Sequence, residues 1–208
     1  MPESIRVWDP LLRLFHWGLV AAFAIAWLTS EKTQFIHEFA GYTVIGLLVF
    51  RLIWGLAGSH YARFSQFIRG PSVTLAYASD VIRGRERRYI GHNPAGAVMV
   101  VLLLVTLAGT GYTGWLMTDP SRQAMLPAIP QVVTQAFADE EGGEAGEAGE
   151  SGAGGAVEEL HEVLANLLLL LVALHVGGVI YASVRHRENL VRAMLTGRKR
   201  APEPDAVA

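Results

Sequence analysis

The sequence predicts an all-α integral membrane protein, a four-helix bundle with both the N and the C terminus in the cytoplasm. Hydrophobic residues make up 51% of the 208 residues, and the mean hydropathy is +0.32. Charged residues make up only 17%, against roughly 25% in soluble proteins. The charges are concentrated between four apolar stretches, each long enough to cross a hydrocarbon core of about 30 Å.

These four apolar stretches are predicted to be membrane-spanning helices. Asp9 before Pro10, and Asn93 before Pro94, each combine a favoured N-cap with proline at the first helical position. The first stretch lacks the basic flank and the small-residue cleavage site of a signal peptide, so we expect it to be retained as a helix. The predicted spans are residues 10–29, 35–57, 94–117 and 157–185.

The polar segments between the spans differ in charge. Of the 17 Lys and Arg residues, all but Lys32 and Arg122 lie on the side that carries both termini and residues 58–93. The positive-inside rule places that side in the cytoplasm. Residues 137–156 are acidic and glycine-rich, which predicts a disordered outer loop. Residues 186–208 are predicted to form a basic cytoplasmic tail.

The chain contains no cysteine. Disulfides, iron–sulfur clusters and covalent haem attachment through a CxxCH motif are therefore excluded. A haem in this chain would have to be held without a covalent link, through histidine or methionine. Histidine is the metal-ligand type that recurs inside the apolar stretches.

Four histidines fall inside apolar stretches, where ionisable residues are costly and usually functional: His16, His37, His161 and His175. His161 and His175 are fourteen residues apart, which places them on nearly one helix face and roughly 21 Å apart along its axis. One metal ion cannot bind both. The direction of each span pairs His37 with His161 on the outer side, and His16 with His175 on the inner side.

Two facing imidazoles with no thiolate partner suit a six-coordinate haem iron. We therefore expect these four histidines to be both the cofactor-binding residues and the metal ligands. His60, His92 and His186 lie in polar surroundings and are predicted to be surface or interfacial residues. Arg51 is interpreted as a side chain that snorkels to the interface, with a haem propionate as the alternative partner.

Four segments resemble the bacterial cytochrome b561 family, which includes the cytochrome b subunits of nickel–iron hydrogenases. The resemblance covers nearly the whole chain apart from residues 137–156 and the last few residues. It implies a single membrane cytochrome b domain over residues 1–208 with two haem b groups, whose ligands fall on the same four histidines. The segments are RVWDPLLRLFHW, IHEFAGYTVIGLLVFRLIWGLAGSHYARF, GHNPAGAVMV and LHEVLANLLLLLVALHVGGVIYASVRHRENLVRAM.

The resemblance also implies electron transfer across a bacterial inner membrane. The expected partners are membrane lipid, the quinone pool (ubiquinone or menaquinone) and a redox protein on the outer side. Acidic residues near the outer mouth favour a basic soluble c-type cytochrome there, and a dehydrogenase subunit is the alternative. No catalytic residue and no nucleic-acid partner are expected.

Three other functions compete with a simple electron carrier. The resemblance allows a superoxide oxidase that reduces ubiquinone, although the acidic outer residues would slow the approach of an anion. It also allows the membrane anchor subunit of a hydrogenase or another dehydrogenase. A metal-ion transporter is disfavoured, because it would need carboxylates beside the histidines, and the apolar interiors offer only Glu38 and Glu162 at the rim.

Overall fold

The computed structural model describes residues 4–123 and 153–201, which are mostly helical. Two short strands lie near the two ends of the described chain, and a turn of 3₁₀-helix covers His60–Ala62. The strands are β1 (Ser4–Arg6) and β2 (Arg198–Arg200). The α-helices are α1 (Pro10–Thr29), α2 (Gln34–Ala57), α3 (Phe64–Phe67), α4 (Pro71–Ile82), α5 (Pro94–Met117), α6 (Pro120–Gln123), α7 (Ala153–Arg185) and α8 (Leu190–Thr196).

The helices α1, α2, α5 and α7 are long and apolar enough to cross a membrane, as the composition predicted. The bounds of α1 and α5 coincide with the predicted spans, whereas α2 begins at Gln34 and α7 is described from Ala153, ahead of the predicted 157. The predicted disordered loop, residues 137–156, lies outside the described residues except for 153–156, which are helical, so the prediction is wrong for those four residues.

Two side chains set the starts of α1 and α5 as the sequence indicated. The Asp9 carboxylate accepts the backbone N–H of Leu12 at 2.9 Å, and the Asn93 amide oxygen accepts that of Gly96 at 2.7 Å. The other carboxylate oxygen of Asp9 accepts the Ser59 hydroxyl at 2.6 Å. Because Ser59 follows the last turn of α2, this bond fixes the start of α1 to the end of its neighbour.

The four long helices pack as two pairs, α1 with α2 and α5 with α7, and α2 also packs against α5. A small core of Ala22, Val44, Leu107 and Leu168 lies where the pairs meet. Helix α7 packs closely on α5. It meets α1 and α2 through side chains, since Leu168 of α7 lies in one buried cluster with Ala22 and Val44.

Both ends of the described chain meet at one end of the helices, which we call the sheet end. Strands β1 and β2 pair antiparallel, with Ile5 opposite Lys199. The backbone N–H of Val7 donates to the Gly197 carbonyl at 2.9 Å. Part of the predicted basic tail is thus folded back onto the helices, and Lys199 is only 6% exposed.

A buried ionic network ties this folded segment to the rest of the sheet end. The Glu188 carboxylate lies 2.9 Å from an Arg88 nitrogen and 3.4 Å from the Lys199 ammonium. Arg88 also donates to the carbonyls of Arg200 and Ala201, and Lys199 donates to that of Ile90. One carboxylate therefore pairs with two buried cations that hold three separate segments together.

We expect Glu188→Gln to lower the midpoint of thermal unfolding, because it leaves Arg88 and Lys199 buried without a counter-charge. Removing one member of a buried ion pair costs about 3–5 kcal/mol. The measurement is loss of helical circular dichroism in detergent-solubilised protein. Glu158→Gln removes an exposed carboxylate and should change the free energy of unfolding by less than about 1 kcal/mol. Equal effects of the two variants would contradict the structural role of the network.

Candidate functional site

At the end of the helices opposite the sheet end, the structure brings together His37 of α2 and His161 of α7. Their ring centroids are 6.2 Å apart and their planes are inclined by 76°. Both rings are partly enclosed by the surrounding helices. The two rings form a pair that joins α2 and α7 at this level.

At the sheet end, the structure brings together His16 of α1 and His175 of α7. Their ring centroids are 6.5 Å apart, with an interplanar angle of 54°. Trp17 contacts the His16 ring edge-on at 5.1 Å. The Nδ1 atom of His16 is buried and has no hydrogen-bond partner among the described residues. The two histidines that helix direction pairs on the inner side are therefore close together in the structure.

The partners of His37 and His161 determine which ring nitrogen carries the proton. His37 Nδ1 lies 2.8 Å from the Ala26 carbonyl, which can only accept, so Nδ1 is the donor. His161 Nδ1 lies 2.9 Å from the Thr113 hydroxyl, whose own proton is directed at the carbonyls of Gly109 and Thr110. The hydroxyl therefore accepts from Nδ1. In both neutral rings, Nε2 retains a lone pair that can bind a metal.

The spacing within each pair suits a metal held between two imidazoles. Imidazole nitrogens bind such metals at about 2.0–2.1 Å, and a ring nitrogen lies roughly 1.2 Å from its centroid, so opposed rings have centroids about 6.4 Å apart. The observed distances are 6.2 and 6.5 Å. Among the described residues, no group of three or more His, Asp or Glu side chains could hold a metal ion. The remaining ligands would have to come from a cofactor, as the four nitrogens of a porphyrin do.

Glycines beside the histidines leave room for such a flat cofactor. A Cβ atom added at Gly41, Gly177 or Gly178 would meet no other atom within 4 Å. Gly41 lies one turn after His37, and Gly177 and Gly178 follow within one turn after His175. At Gly114, by contrast, an added Cβ would lie 3.1 Å from the His161 ring. Gly114 therefore allows His161 to pack closely against α5.

Arg51 is enclosed at the sheet end rather than snorkelling to the interface. Its side chain is 2% exposed, and it donates to the Ala62 carbonyl at 2.9 Å. The guanidinium lies 4.7 Å from the Phe64 ring centroid. That ring packs against Gly55, where a Cβ would lie 2.1 Å from it. The snorkelling interpretation is wrong, because residues 60–67 fold back over Arg51.

The prediction that His92 is a surface or interfacial residue is also wrong. Its ring lies between Phe67 and Trp8, with centroid distances of 4.5 and 4.9 Å, and its Nδ1 is buried without a hydrogen-bond partner. Burial, with the nearby charges of Arg51 and Lys199, lowers the pKa of His92 to about 3. His60 is exposed, as predicted, whereas His186 is partly enclosed.

Four apolar helices enclosing two imidazole pairs at two depths define a class of protein: the membrane cytochromes with non-covalent haem. The chain belongs to the prokaryotic cytochrome b561 family, whose family model matches residues 7–197. The family consists of membrane b-type cytochromes that bind haem b and transfer electrons. No match was found among curated proteins or among solved structures.

The lowered pKa of His92 predicts an acid-sensitive contribution to stability. Because its pKa is about 3 in the folded protein and 6.5 as a free side chain, the contribution is complete above pH 6.5. It is lost as the pH falls towards 3. We expect the thermal midpoint of the wild type to drop more steeply between pH 6.5 and 4 than that of His92→Phe. The control is His60→Phe, and parallel profiles for all three proteins would contradict the assignment.

Proposed function

We propose that this protein carries electrons across the membrane through two haem b groups, one in each histidine pair. His37 and His161 would hold the haem at the opposite end, and His16 and His175 would hold the one at the sheet end. The exchange partners are the quinone pool (ubiquinone or menaquinone) and a redox protein. The proposal thus assigns the electron transfer of the family to two sites on this chain.

One observation carries the proposal: two imidazole pairs have the spacing of opposed axial ligands, at 6.2 and 6.5 Å. One member of each pair comes from α7, and these two members lie roughly 21 Å apart along that helix. Two cofactors at these levels would span most of a hydrocarbon core of about 30 Å. Transfer across the membrane then requires no movement of the protein.

Bound haem supplies reversible one-electron oxidation and reduction. The residues of the chain bind it, orient it and set its environment. Ala26 and Thr113 accept the Nδ1 protons of His37 and His161, which fixes the ring orientation and makes both imidazoles better electron donors. Such donors favour the oxidised iron. The apolar helices around both pairs exclude water, which also affects the potential.

The proposal includes an orientation with the sheet end in the cytoplasm of a bacterial inner membrane. The arginines of residues 58–93 and 185–200 lie on this side of the spans, and the positive-inside rule supports the assignment. The opposite end would then face the outer compartment, where a redox protein can approach His37 and His161. The quinone part of the proposal rests on resemblance to the family. A lipid-soluble quinone can reach either site through the bilayer.

The proposal predicts two haems per chain by pyridine haemochrome analysis. His161→Ala and His37→Ala should each remove the haem at the opposite end, whereas His175→Ala and His16→Ala should remove the one at the sheet end. Reduced-minus-oxidised spectra distinguish the two losses. His60→Ala is the matched control and should retain both haems. Two results would contradict the pairing. One is a reproducible value of one haem in fully loaded protein, and the other is loss of the same haem from both His161→Ala and His175→Ala.

Thr113→Val tests the role of the hydroxyl beside His161. The variant preserves shape but leaves the Nδ1 proton without an acceptor, so the ring becomes a poorer donor. We expect the affinity for the haem at the opposite end to fall by about tenfold or more and its midpoint potential to rise. Thr106→Val makes the same change at a buried site two turns earlier on α5. If both variants behave alike in a redox titration, Thr113 does not act through His161.

A further inference from the structure

A cavity of about 470 Å³ lies at the sheet end, between the ends of α4 and α7. It is far from both histidine pairs, since Arg185 at its wall is ten residues, or roughly 15 Å, beyond His175 on the same helix. Among the described residues, its lining includes a single carboxylate, that of Glu86. The same lining includes six arginines: Arg85, Arg87, Arg88, Arg185, Arg187 and Arg200.

Helices α4 and α7 meet at the cavity, and both terminate in the same kind of C-terminal cap. After α4, the N–H of Gly84 donates to the Val81 carbonyl and that of Arg85 donates to Asp80. After α7, the N–H of Arg187 donates to Val184 and that of Glu188 donates to Ser183. Both are Schellman motifs, in which one residue adopts the left-handed conformation.

Glycine is usual at that left-handed position, and Gly84 follows the rule with φ 64°. Arg187 occupies the equivalent position after α7 with φ 49°, although an L-residue with a Cβ is disfavoured there. Strain of this kind often marks a functional position. Unlike glycine, Arg187 places a guanidinium at the cavity wall.

The charges in the cavity are not balanced by its own carboxylate. Glu86 is already paired with Arg185 at 2.8 Å and accepts the Tyr181 hydroxyl at 3.1 Å. The Arg185 guanidinium also donates to the Gly84 carbonyl at 2.7 Å, which offsets the negative end of α4. Arg85 and Arg187 are exposed on the cavity wall and add positive charge. The cavity therefore suits an anion with several oxygen acceptors.

The position of the cavity indicates where such an anion comes from. Tyr181 and Arg185 lie in the last turns of the membrane-spanning α7, a level at which tyrosine and arginine meet lipid headgroups. Beside the cavity, α4 exposes apolar side chains, with Leu75 71% and Ile82 87% exposed. Apolar side chains exposed at this level favour contact with the membrane interface. A lipid phosphate would therefore reach the arginines directly from the bilayer.

We propose that this cavity binds the phosphate of an anionic phospholipid, with Arg85 and Arg187 as its principal contacts. The proposal is independent of the haem assignment, because none of the cavity residues belongs to a histidine pair. Basic pockets beside membrane-spanning helices are suited to two-phosphate headgroups such as that of diphosphatidylglycerol. This lipid is the probe that we choose.

The test uses full-length protein purified with its haem in detergent and stripped of lipid. The cavity variant combines Arg85→Gln with Arg187→Gly, and glycine at position 187 suits the left-handed backbone, so folding should not suffer. The control variant combines Arg69→Gln with Arg192→Gln, which removes the same charge from exposed sites at the same end. Diphosphatidylglycerol, phosphatidylcholine and inorganic phosphate are added separately. Native mass spectrometry counts bound lipid, and the thermal midpoint reports stabilisation.

We expect diphosphatidylglycerol, but not phosphatidylcholine, to bind and stabilise the wild type and the control variant. The cavity variant should bind it roughly thirtyfold more weakly, at about a factor of five for each arginine near an anionic headgroup. An equal loss in the control variant would mean general attraction to basic residues and would overturn the site. Equal stabilisation by inorganic phosphate at matched phosphate concentration would overturn the lipid as the ligand. Failure of the wild type to distinguish the two lipids would overturn the proposal altogether.

Discussion

The architecture depends on two imidazole pairs, through which α7 faces α1 at one level and α2 at the other. In lipid there is no water to satisfy polar side chains, so a histidine within a span needs a partner from the protein or from a cofactor. Helix α7 supplies a histidine at each level, and α1 and α2 supply one each. Close packing against α5 holds α7 in place beside these two pairs.

Much of this arrangement can be predicted from the sequence, because its signals are local or periodic. Asp9 and Asn93 are recognisable as N-caps, and both make the expected bonds. The four spans follow from composition and length alone. The pairing of the histidines follows from helix direction. His37 and His161 both lie early in spans that run the same way, whereas His16 lies early and His175 late in spans that run opposite ways. What such reasoning does not provide is the hydrogen bonding behind each ring, such as that of Thr113 to His161.

The sheet end is less predictable, because it is built from contacts between residues distant in the sequence. Three-residue strands carry no periodic signal, and their partners are separated by nearly the whole chain. Lys199 looks like part of a solvated basic tail, yet Glu188 and backbone carbonyls bury it. Arg51 and His92 are misjudged for the same reason. Residues 60–67 cover them, and a polar connecting segment does not show by its composition that it will fold inward.

The pairing of β1 with β2 has a consequence for how the protein is made. The first strand is synthesised long before its partner, Arg198–Arg200, because nearly the whole described chain lies between them. His161 of α7 also emerges before His175. During insertion, the histidine pair at the opposite end can therefore form while the sheet end still lacks β2. The order of translation thus gives the two ends an order of assembly, with the sheet end closing after the opposite end.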